Sequence, residues 1–144
     1  MGDLLGNRVL MLPLAAWLVS QFLKVLINLR FERKLNLRYL TAAGGMPSSH
    51  SALVASVTTA IGRELGLGSP LFGAAVIFSV IVMYDAAGVR RAVGTHARVL
   101  NLLLDELVLY HKLDEARLRE LVGHTPLQVA AGALVGVLIT LTLG

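Results

Sequence analysis

The sequence has no cysteine among its 144 residues, and aromatic residues make up only 6% of it. Without a thiol, disulfides, zinc–thiolate sites and cysteine nucleophiles are excluded. Lys and Arg outnumber Asp and Glu by 13 to 9, which gives a formal net charge of +4. Basic residues without an aromatic-rich soluble domain favour phosphate groups and membrane lipids as partners, and we expect no nucleic acid.

Apolar residues are in large excess, at 56% of the chain with a mean hydropathy of +0.72. Such a chain is too apolar for a soluble globule, and its length fits one domain, residues 1–144. Apolar runs predict four spans, at residues 9–29, 50–67, 71–84 and 127–143. Residues 102–121 alternate apolar and charged groups at the spacing of one or two interfacial amphipathic helices. The predicted fold class is an all-α polytopic membrane helix bundle.

The first span carries a polar stripe. Gln21, Lys24 and Asn28 are spaced i, i+3 and i+7, which puts them on one helical face. A lysine inside a membrane helix is costly unless it finds an anion or extends to the interface. Lys24 is therefore a candidate phosphate ligand with Gln21 beside it, and extension to the interface is the alternative.

The run GGMPSSHS at residues 44–51 predicts the start of a helix. Gly45 frees the backbone, and Ser48 and Ser49 can cap the helix. Its first N–H groups have no intrahelical partner and suit a phosphate. His50, in the first turn, could then donate a proton to a leaving oxygen. The alternative is an ordinary capped helix start with a solvated histidine.

Charged residues follow the third span: Asp85 ends it, and Arg90, Arg91 and His96 come after it. Two spans separate these residues from His50, so both groups face the same side of the membrane. Arginine presents a planar donor fork to phosphate, and a neutral histidine can be a nucleophile. The alternative is a positive loop that only fixes topology.

The last span adds two further candidates. His124 precedes it on the same side as His50, although a surface or capping histidine is commoner than a catalytic one. Gly132 and Gly136 form a GxxxG pair, which predicts a homodimer through this span.

The run PSSH at residues 47–50 is followed later in the chain by Arg90 and His96. This pattern resembles the second and third signatures of the type 2 phosphatidic acid phosphatase superfamily, which includes vanadium haloperoxidases. GGMPSSHS, YDAAGVRR, VLN and GHTP look like the small divergent membrane branch of that superfamily. The resemblance extends from Gln21 to Pro126.

This resemblance implies that His96 attacks phosphorus while His50 protonates the leaving group. Arg90, Ser49 and Lys24 would hold the phosphoryl oxygens, and a covalent histidine intermediate requires no metal or cofactor. The candidate phosphate-binding residues are Lys24, Gly45, Ser48, Ser49, Arg90 and Arg91, with Gln21, Asn101 and His124 as further candidates.

The chain departs from the superfamily at Leu100, where an aspartate usually orients the nucleophile. Asp85 is the first substitute, because Gly88 and Gly94 in the intervening loop would let the chain fold back. Asn101 is a weaker one, since an amide brings no charge.

We therefore expect a lipid-phosphate phosphatase of the cell membrane, acting on a substrate of the phosphatidate, phosphatidylglycerophosphate or polyprenyl diphosphate type. The rival is a catalytically weak or inactive protein that binds or transports lipid phosphates. A structural assembly protein is supported by the GxxxG pair alone.

All Lys and Arg except Arg8, Lys24 and Arg63 fall on the side of His50, which predicts that this side is cytoplasmic. Cysteines introduced beside Arg33 and Arg91 should both react with a membrane-impermeant thiol reagent from the cytoplasmic side. The chain has no cysteine of its own, so each label reports one position. Labelling of the two positions from opposite sides would contradict a shared pocket.

Overall fold

A computed structural model describes residues 2–32, 45–110 and 123–144. These residues form helices and no strand, which confirms the predicted all-α class. The helices are α1 (Gly2–Leu5), α2 (Arg8–Glu32), α3 (Ser49–Leu65), α4 (Pro70–Ala87), α5 (Val89–Tyr110) and α6 (Pro126–Leu143).

Three stretches of the described chain are long and apolar enough to cross a membrane: Arg8–Phe31, Pro70–Asp105 and Pro126–Leu143. Their outer surfaces carry large apolar side chains, such as Phe22, Ile77 and Leu134, that are more than half exposed. The side chains buried between the helices are mostly small, and many are polar. This arrangement fits a lipid surrounding, where apolar groups face outward and polar groups pair inside.

Helix α3 lies at the centre and contacts α2, α4 and α6. It is shorter than the other three, but nine of its 17 residues are buried. The four central helices therefore form one bundle, with α3 as the shared neighbour.

Helices α3 and α6 approach each other through two glycines of α6. A Cβ added to Gly132 would collide with the carbonyl oxygen of Ser48, and one added to Gly136 would collide with that of Ala52. Moving four residues along α6, from Gly132 to Gly136, also moves the contact four residues along α3, from Ser48 to Ala52. The two helices therefore run parallel and in register.

One turn further along, the same register continues through hydroxyl groups. Ser56 Oγ and Thr140 Oγ1 are 2.6 Å apart, and both side chains are buried. At the far end, Arg63 Nη1 donates to the carbonyl oxygens of Thr140 and Leu141, at 3.2 and 3.3 Å. This cation lies at the negative end of the α6 dipole, where it stabilises the helix.

Gly132 and Gly136 are thus packed against α3 of the same chain. The homodimer predicted through this pair would need the same face, which the intramolecular contact already buries. The GxxxG spacing indicated close helix packing correctly, but its partner lies within the chain.

The segment after α4 differs from the sequence prediction. Residues 89–101 were expected to form a loop, but they are helical and begin α5, with Gly88 alone between the two helices. Gly88 keeps a right-handed helical φ of −99°, so it does not turn the chain back. Helix α5 also includes residues 102–110, so no separate helix begins at Leu102, and the rest of the predicted interfacial segment lies outside the described residues.

We predict that Gly136→Ala lowers the free energy of unfolding by about 2 kcal/mol, because its methyl group would collide with the Ala52 carbonyl oxygen. Gly73→Ala on α4 is the matched control, since no atom lies within 4 Å of its added Cβ. This control should be neutral or slightly stabilising. Denaturant or thermal unfolding in detergent measures both, and equal stability of the two variants would contradict the close α3–α6 packing.

Candidate active site

The N-terminus of α3 is fixed by Ser48. This residue is the N-cap, as the sequence predicted for its serines, and Ser48 Oγ accepts from the backbone N–H and the hydroxyl of Ser51, at 3.4 and 3.0 Å. The Ser48 backbone N–H donates to the Gln128 carbonyl oxygen at 3.0 Å. These bonds hold the start of α3 against the first turn of α6, with Ser49 buried and His50 half-buried in the first turn of α3.

His124 lies beside His50 at this end of the bundle. Only 1% of His124 is exposed, and its backbone N–H donates to the carbonyl oxygen of Ala86 on α4, at 3.0 Å. The His50 and His124 ring centroids are 6.2 Å apart, with the ring planes at 65°. Two histidines from different helix N-termini therefore share one site.

Lys24 brings a positive charge from α2. Its side chain is fully buried, and Nζ donates to Gln21 Oε1 at 2.8 Å. Asn28 Nδ2 donates to the Lys24 carbonyl oxygen at 2.8 Å, so the polar stripe predicted on α2 is confirmed. Lys24 lies eight residues before the end of α2, roughly 12 Å inside the helix.

Gly45 packs against the aliphatic stem of Lys24. A Cβ added to Gly45 would lie 3.2 Å from both Cγ and Cδ of Lys24. Gly45 also has a φ of +95°, a conformation that other residues adopt with strain. The absence of a side chain thus lets the segment before α3 close over Lys24.

The N-terminus of α6 is closed by a capping box. Thr125 Oγ1 accepts from the Gln128 backbone N–H, and Gln128 Oε1 accepts from the Thr125 backbone N–H. Because α3 and α6 run parallel, the positive ends of both helix dipoles meet beside the two histidines. This end of the bundle is therefore suited to an anion.

The structure brings together one group of the predicted site residues: Gln21, Lys24, Gly45, Ser48, Ser49, His50 and His124. Asp85 lies half-buried in the last turn of α4, next to Ala86, and so belongs to the same end of the bundle.

The other predicted site residues belong to α5, which begins just after α4 and contacts α4 among the described helices. His96 is exposed and Asn101 is half-buried. Within the described helices, no Cα of α5 lies within 8 Å of a Cα in α2, α3 or α6. The backbones of Arg90 and Arg91 lie in the first turn of α5.

Gln128 is the site residue that the sequence analysis missed. Its side chain contacts His124, since Oε1 lies 3.2 Å from His124 Nδ1. The signal was present in the sequence as Thr125-Pro126 followed by Gln128, the pattern of a capping box. His124 is the residue before the N-cap, and its ring contacts the same Gln128 side chain that closes the cap.

Comparison with known proteins identifies a matching family and a relative. The family model described as the divergent PAP2 family matches residues 5–139. The uncharacterized membrane protein YuiD of Bacillus subtilis (strain 168) is 41% identical over 152 residues, which cover 98% of this chain and 96% of that protein. No solved structure matches the chain.

We predict that Lys24→Met weakens phosphate-dependent binding or turnover by about 2–4 kcal/mol, because it removes a buried positive charge but keeps the stem that packs on Gly45. Lys24→Arg should restore little, since the guanidinium needs different room. Leu26→Met, on the exposed face of the same helix, is the control. Unchanged kinetics and unchanged orthovanadate binding in Lys24→Met would mean that the ammonium does not meet the anion.

Proposed function

The chain belongs to the divergent PAP2 family, and from this premise we propose that it is a membrane phosphatase that hydrolyses a phosphomonoester or diphosphate of a lipid. The observation that carries the proposal is that His50 and His124 lie side by side at the N-terminus of α3, with the stem of Lys24 packed against Gly45 in the segment before this helix. These groups supply proton transfer, nucleophilic chemistry and positive charge, which are the three requirements of phosphoryl transfer through histidine.

Each group has a separate task in this proposal. Lys24 and the backbone N–H groups at the start of α3 stabilise the negative charge that spreads over the phosphoryl oxygens. Ser49, buried in the first turn of α3, adds a hydroxyl. His50 donates the proton that the leaving oxygen needs, and a second histidine attacks phosphorus. His96 and His124 compete for that second role.

The depth of the site favours a lipid substrate. Lys24 lies inside a helix whose outer surface is apolar. A charged phosphate does not cross that surface, so it would reach Lys24 from the end of the bundle where His50 and His124 lie. A lipid can place its phosphate there while its chain stays against the apolar helix surfaces. Phosphatidate, phosphatidylglycerophosphate and polyprenyl diphosphates all have this form.

We assign the site to the cytoplasmic face of the cell membrane. The assignment uses the distribution of Lys and Arg, which concentrate on the side of His50. Single-cysteine labelling tests this assignment independently of activity.

The competing function is binding or transport of a lipid phosphate without turnover. Lys24 and the two helix N-termini would serve it equally, so binding alone does not separate the two functions. Release of inorganic phosphate does, because only hydrolysis produces it.

We predict that purified protein in detergent releases phosphate from at least one of phosphatidate, phosphatidylglycerophosphate and a polyprenyl diphosphate. His50→Gln should lower kcat by roughly 10²–10⁴-fold, the usual contribution of a general acid. Leu26→Met serves again as the control on the lipid-facing surface. Binding of these lipids without release of phosphate by the wild-type protein would favour the transport function, and full activity in His50→Gln would reject His50 as the acid.

A further inference from the structure

We propose that His124, held in one tautomer by Gln128, is the nucleophile that attacks phosphorus. The inference rests on the proposed function and deepens it, because it moves the covalent step from α5 to the N-terminus of α6. Three observations support it: the hydrogen bonds of Gln128, the position of the His124 ring beside His50, and the position of His96.

The hydrogen bonds of Gln128 fix the tautomer of His124. Gln128 Oε1 accepts from the Thr125 backbone N–H at 3.0 Å, and a backbone N–H can only donate, so the atom facing it is the amide oxygen. The same oxygen lies 3.2 Å from His124 Nδ1. An oxygen without a proton requires a donor, so Nδ1 carries the hydrogen, and in the neutral imidazole Nε2 carries the lone pair. Nε2 is then the nucleophilic atom.

The place of His124 suits attack on a phosphate that His50 also reaches. The two ring centroids are 6.2 Å apart in an edge-on arrangement, so the proposed nucleophile and the proposed acid are neighbours at one end of the bundle. The His124 backbone is also fixed, since its N–H donates to the carbonyl oxygen of Ala86. With ring and backbone both held, the nucleophile loses little freedom in the transition state.

His96 lacks this arrangement. It is an exposed residue on α5, and among the described helices α5 contacts only α4. His50 lies on α3, which has no Cα within 8 Å of any Cα in α5. Among the described residues, His96 thus lies on a helix that does not pack against α3, whereas the His124 ring is next to that of His50.

The chemistry balances with the residues of this site. The lone pair of His124 Nε2 forms a bond to phosphorus while the bond from phosphorus to the lipid oxygen breaks, and that oxygen takes a proton from His50. Water then attacks phosphorus, the N–P bond breaks, and His50 recovers a proton from the water. The products are inorganic phosphate and a lipid alcohol, or a lipid monophosphate when the substrate is a diphosphate.

Trapping of the covalent intermediate tests the assignment. Wild-type protein is mixed in turn with ³²P-labelled phosphatidate, phosphatidylglycerophosphate and polyprenyl diphosphate, quenched in alkali, and digested for mass spectrometry. We expect an acid-labile phosphohistidine on the peptide that contains His124. His96→Asn should form the same label, and His124→Asn should form at least roughly 10³-fold less.

The outcomes distinguish failure of the His124 assignment from failure of the phosphatase function. Phosphate release with the label on His96, or a label retained in His124→Asn, would overturn the inference and leave the phosphatase function standing. Wild-type protein that releases no phosphate from phosphatidate, phosphatidylglycerophosphate or a polyprenyl diphosphate would overturn the proposed function and the inference together. Peptide mapping uses wild-type protein, so the result does not depend on the folding of a variant.

Gln128 is a positioning residue in this inference, and imidazole ¹⁵N NMR tests that role without substrate. Wild-type His124 should show the Nδ1–H tautomer. Gln128→Met should mix the tautomers and slow label formation by roughly 10²-fold, whereas Gln128→Glu keeps an acceptor and the capping box and should restore the Nδ1–H form. Gln128→Met with unchanged tautomer and unchanged labelling rate would overturn the role of Gln128.

Discussion

The close parallel packing of α3 and α6 is the contact on which the site depends. Gly132 and Gly136 allow it, because any larger residue would collide with a backbone carbonyl of the α3 segment. Parallel packing brings two helix N-termini to one end of the bundle, and His50 and His124 each lie next to one of them. Two parallel helix dipoles lying side by side repel each other. A bound anion at their shared positive end would offset this repulsion.

The surrounding lipid explains why so polar an interior is stable. Association of helices in a bilayer gains little from the hydrophobic effect and depends on close packing and interhelical hydrogen bonds. The hydroxyl pairs Ser56–Thr140 and Thr58–Ser79, at 2.6 and 2.7 Å, supply such bonds between α3 and its neighbours. Lys24 is accommodated in the same interior, where the Gln21 amide oxygen satisfies one of its N–H groups.

Local features of the fold could be predicted from the sequence, and long-range ones could not. The apolar runs indicated α2, α4 and α6, and the i, i+3 spacing of Gln21 and Lys24 indicated their contact, because both signals come from neighbouring residues. The pairing of His50 with His124 depends on the register of α3 against α6, which no local pattern contains. Gly88 was expected to turn the chain, but glycine is compatible with both a turn and a helix, and the structure has the helix.

The use of Gln128 in place of a carboxylate has a physical consequence for the proposed nucleophile. A carboxylate on Nδ1–H would favour the imidazolium form of His124 and would itself be a buried charge needing compensation. A neutral amide accepts from the same Nδ1–H without adding a charge to the site. It also completes the capping box of α6, so one side chain both stabilises the helix start and orients His124. Helix stability and nucleophile geometry are therefore coupled through Gln128, and a substitution there must change both unless it preserves the acceptor oxygen.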